Sequence, residues 1–147
     1  MAAFERMFMR LHQFLYIHTD GRVGHRMIMV PTLLLRTTGR RTGAARTNAL
    51  IYARDGRDFV LVGSNWGGRR SPAWLYNLQA NPSVEIQVGR SRLPSVGRVV
   101  AEGDADYERL WKLVNDSNHG RYDQYQAHTA RSIPLVVIRT TEPDGRA

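Results

Sequence analysis

The chain predicts a mainly β, α+β fold: six antiparallel strands closing into a barrel, with three or four helices around it. Three observations carry that expectation. Apolar residues alternate in short runs, as they do in half-buried strands. Two connections read as tight turns, Arg54-Asp55-Gly56-Arg57 and Gly89-Arg90, so neighbouring strands should pair antiparallel. The last run, Ile133 to Ile138, is apolar throughout, which fits a central strand covered on both faces. Six antiparallel strands avoid open edges most readily by closing on themselves.

The elements follow in order. Phe4, Met7, Phe8, Leu11 and Leu15 recur at helical spacing over 3–18, with Arg6, Arg10 and Gln13 outside. This amphipathic helix either packs on its own domain or serves as a membrane-surface or lid helix. With the loop at 20–26 it forms an N-terminal segment, 1–26, before a barrel domain at 27–140 and a frayed polar tail at 141–147. A strand runs from Met27 to Arg36 through Leu33, Leu34 and Leu35, and a second alternates imperfectly over 46–54. The chain returns from Asp58 to Ser64 and enters the glycine-rich loop Asn65-Trp66-Gly67-Gly68-Arg69-Arg70.

Ser71 is the expected cap of the next helix, with Pro72 at its first position and its end near Asn81-Pro82. Val84, Ile86 and Val88 point inward from a strand over 83–88, which turns and returns over 92–101. Asp104 caps a helix to Asn115 whose apolar face is Tyr107, Leu110, Trp111 and Val114. A short helix over 121–129 bears Tyr122 and Tyr125 on one face.

Composition narrows the function. At 147 residues the chain is one domain, and with no cysteine it has no disulfide, zinc-thiolate, iron–sulfur or thiol chemistry. Net charge is +8, and Lys112 is the single lysine among 21 basic residues, a balance that favours an acidic partner. No leader or membrane span is legible, so a cytoplasmic protein is expected, with membrane association only through the N-terminal helix.

The chemistry concentrates in Arg36-Thr37-Thr38-Gly39-Arg40-Arg41-Thr42-Gly43-Ala44-Ala45-Arg46: four arginines, three threonines, two glycines and no acid. Guanidinium forks, hydroxyls and glycine-exposed amides suit an oxyanion. The stretch is neither a Walker loop nor a Gly-x-Gly-x-x-Gly fingerprint, and a plain solvated turn is the alternative. Arg40, Arg41 and Arg46 could meet a phosphate and the carboxylates of an acidic tail.

Downstream, strand, glycine loop and helix start should gather Ser64, Asn65, Trp74 and Asn77. Trp74 either lies against a flat ring or fills the core. Tyr122 and Tyr125 are a structural pair or an aromatic wall over a substrate pocket. The five histidines lack metal-ligand spacing, and neither a carboxylate pair nor a Ser/His/Asp pattern stands out. The hard chemistry is therefore expected of a bound, phosphorylated aromatic cofactor rather than a metal.

Several strings resemble the deazaflavin-dependent nitroreductase family, actinobacterial oxidoreductases that use coenzyme F-420. They are Leu34-Leu35-Arg36-Thr37-Thr38-Gly39-Arg40-Arg41-Thr42-Gly43, Arg46-Thr47-Asn48, Arg54-Asp55-Gly56, Pro72-Ala73-Trp74 to Asn77-Leu78, and Ala80-Asn81-Pro82. Tyr122-Asp123-Gln124-Tyr125-Gln126 and Ile133-Pro134-Leu135-Val136-Val137 match as well, so the likeness covers about 30–139.

The resemblance implies a split β-barrel of the flavin-reductase and pyridoxamine-phosphate-oxidase kind. It also implies coenzyme F-420, with its phosphate and oligoglutamate tail. Cofactor contacts carried over from the family fall on Arg40, Arg41, Thr42, Arg46, Thr47, Asn48, Ala49, Leu50 and Ile51. Others fall on Val62, Gly63, Ser64, Asn65, Ala73, Trp74, Leu75, Tyr76, Asn77 and Tyr125. Ser64, Tyr122 and Tyr125 match positions on the substrate side and are the catalytic candidates.

The implied reaction is hydride transfer from C5 of the reduced deazaflavin to a quinone, enone or nitroaromatic, with Ser64 Oγ–H or backbone N–H groups stabilising the charge that appears. A non-catalytic carrier of the coenzyme is the alternative. Ile51 and His128 stand where the nitroimidazole-reducing member has a tyrosine and another aromatic, so a different set of acceptors is expected. Nucleic acid is not expected, because the basic residues cluster at one turn instead of interleaving with aromatics. Oligomeric state is left open.

Overall fold

The computed structural model describes residues 31–141. The expected helix at 3–18, its following loop and the tail beyond 141 lie outside these residues. The strands are β1 (Thr32–Thr38), β2 (Ala45–Ile51), β3 (Ala53–Asp55), β4 (Asp58–Val62), β5 (Ser83–Val88), β6 (Ser91–Val100) and β7 (Leu135–Thr140). The helices are α1 (Ala73–Ala80), α2 (Tyr107–Ser117) and α3 (Arg121–Ala127), with a short helical turn at Asn65–Gly67. All strand pairs are antiparallel, in the order β2-β1-β5-β6-β7-β4-β3.

Seven strands form where six are expected, because the stretch 46–54 turns a corner at Tyr52. Upstream of it β2 pairs with β1, downstream β3 pairs with β4, and the Tyr52 N–H donates to the Pro31 carbonyl at 3.2 Å. One residue thus joins the two outermost strands of the sheet, which curls until its ends meet across a split. The β3–β4 turn falls at Gly56-Arg57, with Gly56 at φ +60.

Strand alternation sorts the apolar side chains into two cores. On the concave side Leu33, Leu35, Phe59, Leu61, Val84, Ile86, Val136 and Ile138 surround Trp74, Leu75 and Leu78 of α1. On the convex side Val60, Val62, Leu135 and Val137 meet Tyr107, Leu110 and Val114 of α2 and Tyr122 of α3. The unbroken apolar run ending in β7 is explained: it lies between β6 and β4 and serves both cores. Each such side chain contributes roughly 1.5–3 kcal/mol of apolar burial.

Helix α1 enters so far that Gly97 of β6 touches it; a Cβ there would stand 2.5 Å from Leu78 Cδ1. Two caps differ from expectation. Pro72, not Ser71, is the capping residue of α1, and the Ser71 hydroxyl accepts from Arg131 instead. Asp104 makes a turn with the Asp106 N–H, and α2 starts later, at Tyr107. Among the described residues, no helix is long and apolar enough to cross a membrane.

Candidate functional site

Two basic segments flank α1. The first is the β1–β2 bend. Gly39 N–H donates to Ala44 O at 2.7 Å and Gly43 N–H to Gly39 O at 2.8 Å, with Gly43 in the left-handed region at φ +73. The Thr42 hydroxyl accepts from the Ala44 N–H, which tightens the turn. Asn77 docks it onto the helix: its Oδ1 accepts from Arg40 N–H at 3.1 Å and its Nδ2 donates to Thr37 Oγ1 at 3.4 Å. The Arg40 guanidinium lies over the exposed Tyr76 ring, 5.0 Å from its centroid.

Some arginines of the described surface are ion-paired, and those of this bend are not. Arg36, Arg98, Arg109 and Arg139 each pair with a carboxylate. Arg40, Arg41 and Arg46 pair with none among the described residues, nor do Arg69 and Arg70 of the neighbouring loop. The register places Arg46, Asn48 and Leu50 opposite Thr37, Leu35 and Leu33, so these three face the concave side. Thr47, Ala49 and Ile51 face the other way, where Ala49 is buried against Leu34.

The second segment follows β4. Asn65, Trp66 and Gly67 have φ of 45, 53 and 76, three successive left-handed residues. For the two that carry side chains this costs roughly 1–2 kcal/mol each. The Gly67 N–H donates to Ser64 O and the Gly68 N–H to Asn65 O, both at 2.9 Å, and Asn65 Nδ2 reaches Arg70 O. Gly67 lies against α3, where a Cβ would come within 2.8 Å of the Tyr125 carbonyl. Arg131 binds the whole segment: Nη2 to Gly63 O and Ser64 O, Nε to Gly68 O, and Nη1 to Ser71 Oγ.

Several expected site residues are placed differently. Trp74 is 4% exposed inside the concave core, where its indole packs as a core aromatic. Tyr122 is 6% exposed in the convex core, edge-on to Tyr125 at 6.2 Å. Burial pushes its hydroxyl pKa well up. Asn118 stands beside that hydroxyl, and its Nδ2 makes no hydrogen bond of good geometry.

Asn77 is buried with both amide atoms committed to the bend, and Ala49, Val62, Gly63 and Leu75 are buried as well. Arg40, Arg41, Thr42, Arg46, Asn65, Ala73 and Tyr76 are exposed, while Thr47, Asn48, Leu50, Ile51 and Tyr125 are half-buried. Ser64 is buried, 9% exposed.

Two residues carried no site expectation from sequence: Trp66 and Arg131. Trp66 is 38% exposed on the left-handed turn, and the two glycines after it are the only sequence signal. Arg131 has none, since its partners lie 60 to 68 positions away. Among the described residues, no cluster of metal-ligating side chains forms.

Against known proteins, the F-420H(2)-dependent quinone reductase family matches residues 8–140. An F-420H(2)-dependent quinone reductase of Mycobacterium tuberculosis is 49% identical over 131 residues, 88% of each chain. The solved structure of an F-420-H2 dependent reductase, FDR-A, is 31% identical with a TM-score of 0.66, covering 74% of this chain and 94% of that one. An FAD-binding protein of Mesorhizobium loti shares the fold alone, at 13% identity and a TM-score of 0.55 over 76% of this chain and 81% of that one. The family match runs through all seven strands, the basic bend and the glycine turn, and the chain therefore belongs to the F-420H(2)-dependent quinone reductase family.

Proposed function

We propose that this protein is an oxidoreductase that passes a hydride from reduced coenzyme F-420 to a quinone, with enones and nitroaromatics as further acceptors. The observation that carries the reading is the set of unpaired guanidinium groups, Arg40, Arg41 and Arg46, on a bend fastened to α1. A phosphate and an oligoglutamate tail match that donor set in charge and geometry. When bound, the deazaflavin supplies a hydride from C5; binding, orientation and charge stabilisation fall to the chain.

Arg40 is kept flat by Tyr76, so it meets an anion with little further loss of side-chain freedom. Arg46 and Asn48 project on the concave side of β2 and extend the donor row toward Leu50. At the other end of α1, the Ser64 hydroxyl and neighbouring backbone N–H groups are the donors for negative charge appearing on the acceptor oxygen. The backbone of Tyr125 lies against the turn that follows Ser64, and its ring packs edge-on to Tyr122. The N-terminal segment at 3–18, if it rests on a membrane, would bring the site to apolar quinones.

The test is titration with oxidised coenzyme followed by deazaflavin fluorescence, then oxidation of the reduced coenzyme by menadione. A dissociation constant on the order of micromolar, weakening with salt, and turnover with menadione are expected. Binding no better than about millimolar at low salt would remove the proposal. Tight binding without oxidation by any quinone, enone or nitroaromatic would favour the carrier instead.

A further inference from the structure

Arg131 lies between α3 and β7, half-buried, and no acidic side chain pairs with it among the described residues. Its four hydrogen bonds run to Ser64 O (2.8 Å), Gly68 O (2.9 Å), Gly63 O (3.1 Å) and Ser71 Oγ (3.2 Å), all in the loop that follows β4. The residue is itself anchored by Gln126 of α3, whose Nε2 donates to Arg131 O at 2.7 Å and whose Oε1 accepts from Ile133 N–H at 2.9 Å. A cation fixed from behind therefore grips a strained turn from one side.

Peptide geometry gives this grip a consequence. In a trans peptide the C=O and the following N–H point in opposite directions. The carbonyls of Gly63 and Ser64 turn toward the guanidinium, so the N–H groups of Ser64 and Asn65 turn away from it. Neither of these amides meets an acceptor among the described residues. Two free donors thus stand beside the Ser64 hydroxyl, at the entrance to the left-handed turn.

We propose that Arg131 is a positioning residue for hydride transfer: it holds the Gly63–Ser64 and Ser64–Asn65 peptide planes so that their N–H groups face the acceptor oxygen. The assignment rests on the proposed function for the identity of the acceptor, but the grip itself does not. Lysine should not substitute, since one ammonium cannot reproduce a planar fork spanning Gly63 O, Ser64 O, Gly68 O and Ser71 Oγ.

Arg131→Lys and Arg131→Gln test this in two arms. The first is amide hydrogen exchange of the coenzyme-free protein by NMR. Exchange at Gly67 and Gly68, whose N–H groups close the turn, is expected to speed up about tenfold or more in both variants, with the β4–β7 ladder protected as before. The second is steady-state kinetics with reduced coenzyme and menadione. A fall in kcat of about tenfold to a hundredfold is expected in both variants, with KM for the coenzyme within about threefold.

Unchanged exchange at Gly67 and Gly68, or full activity in Arg131→Lys, would overturn the proposal. So would a rise in KM with kcat intact. If the wild-type protein fails to bind the coenzyme, the proposed function falls together with the acceptor assignment. The exchange arm then still decides whether Arg131 holds the turn.

Discussion

The bend at 39–46 and the loop at 63–71 both abut α1 and both carry unpaired arginines, yet the chain builds them in opposite ways. The bend closes by its own short hydrogen bonds and touches the helix through Asn77 and Tyr76, leaving its guanidinium groups in solvent. The loop is forced into three left-handed residues and held there by the guanidinium of Arg131, from the segment leading into the neighbouring strand β7. Free cations on a relaxed turn suit affinity for a charged ligand. A strained backbone under external constraint suits geometry at a reacting centre. Under the proposed function, the bend would serve binding and the loop would serve chemistry.

The largest expected effect removes what the two regions share. Trp74 fixes α1 in the concave core, so Trp74→Ala should cost about 3–5 kcal/mol in urea unfolding. Coenzyme affinity and turnover should decline together. A Trp74→Ala protein of unchanged stability but without coenzyme binding would return the indole to the cofactor. Gly67→Ala breaks the loop alone. Its positive φ penalises any side chain, and the new Cβ would meet the Tyr125 carbonyl at 2.8 Å. A drop in kcat of about a hundredfold is expected, with the coenzyme dissociation constant within about threefold. Equal losses in both quantities would abolish the division of labour.

Parts of this were legible in sequence for identifiable reasons. The glycines and Thr42 of the bend act on neighbours within five positions, so local spacing revealed them. Strand alternation located β5 and an unbroken apolar run located the central β7, both local signals, although the corner at Tyr52 depends on which distant strands its flanks pair with. Trp66 and Trp74 are chemically alike, and only the packing of α1 into the curled sheet decides which is buried. Tyr122 and Tyr125 share a helix face, but α2 covers one more than the other. Arg131 is one arginine among many, and its role exists only when residues 60 to 68 positions earlier fold beside it.

A smaller effect probes the bend alone. The double substitution Arg40→Ala, Arg41→Ala should raise the coenzyme dissociation constant about tenfold to a hundredfold at low ionic strength. Turnover at saturating coenzyme should stay within about twofold, because neither guanidinium touches the Ser64 loop in the structure. The gap between variant and wild type should shrink as salt rises through the screening range. Affinity that ignores both the substitution and the salt would place the anionic tail elsewhere.

The smallest effect concerns a pair remote from both regions, and it serves as the control. Asp58 at the start of β4 accepts two hydrogen bonds from Arg139 of β7, at 3.0 and 2.9 Å, which hold its carboxyl below its ordinary value of 3.8 against an opposing desolvation. A carboxyl with a lowered folded pKa adds stability above its unfolded pKa, and that increment is lost as pH falls through the folded value. Asp58→Asn should therefore be slightly less stable than wild type at neutral pH. The two unfolding curves should converge as pH drops below about 4, and kcat and KM should not move at pH 7. A change in kcat here would mean that β4 transmits strain into the Ser64 loop. The turn would then answer to the sheet as well as to Arg131.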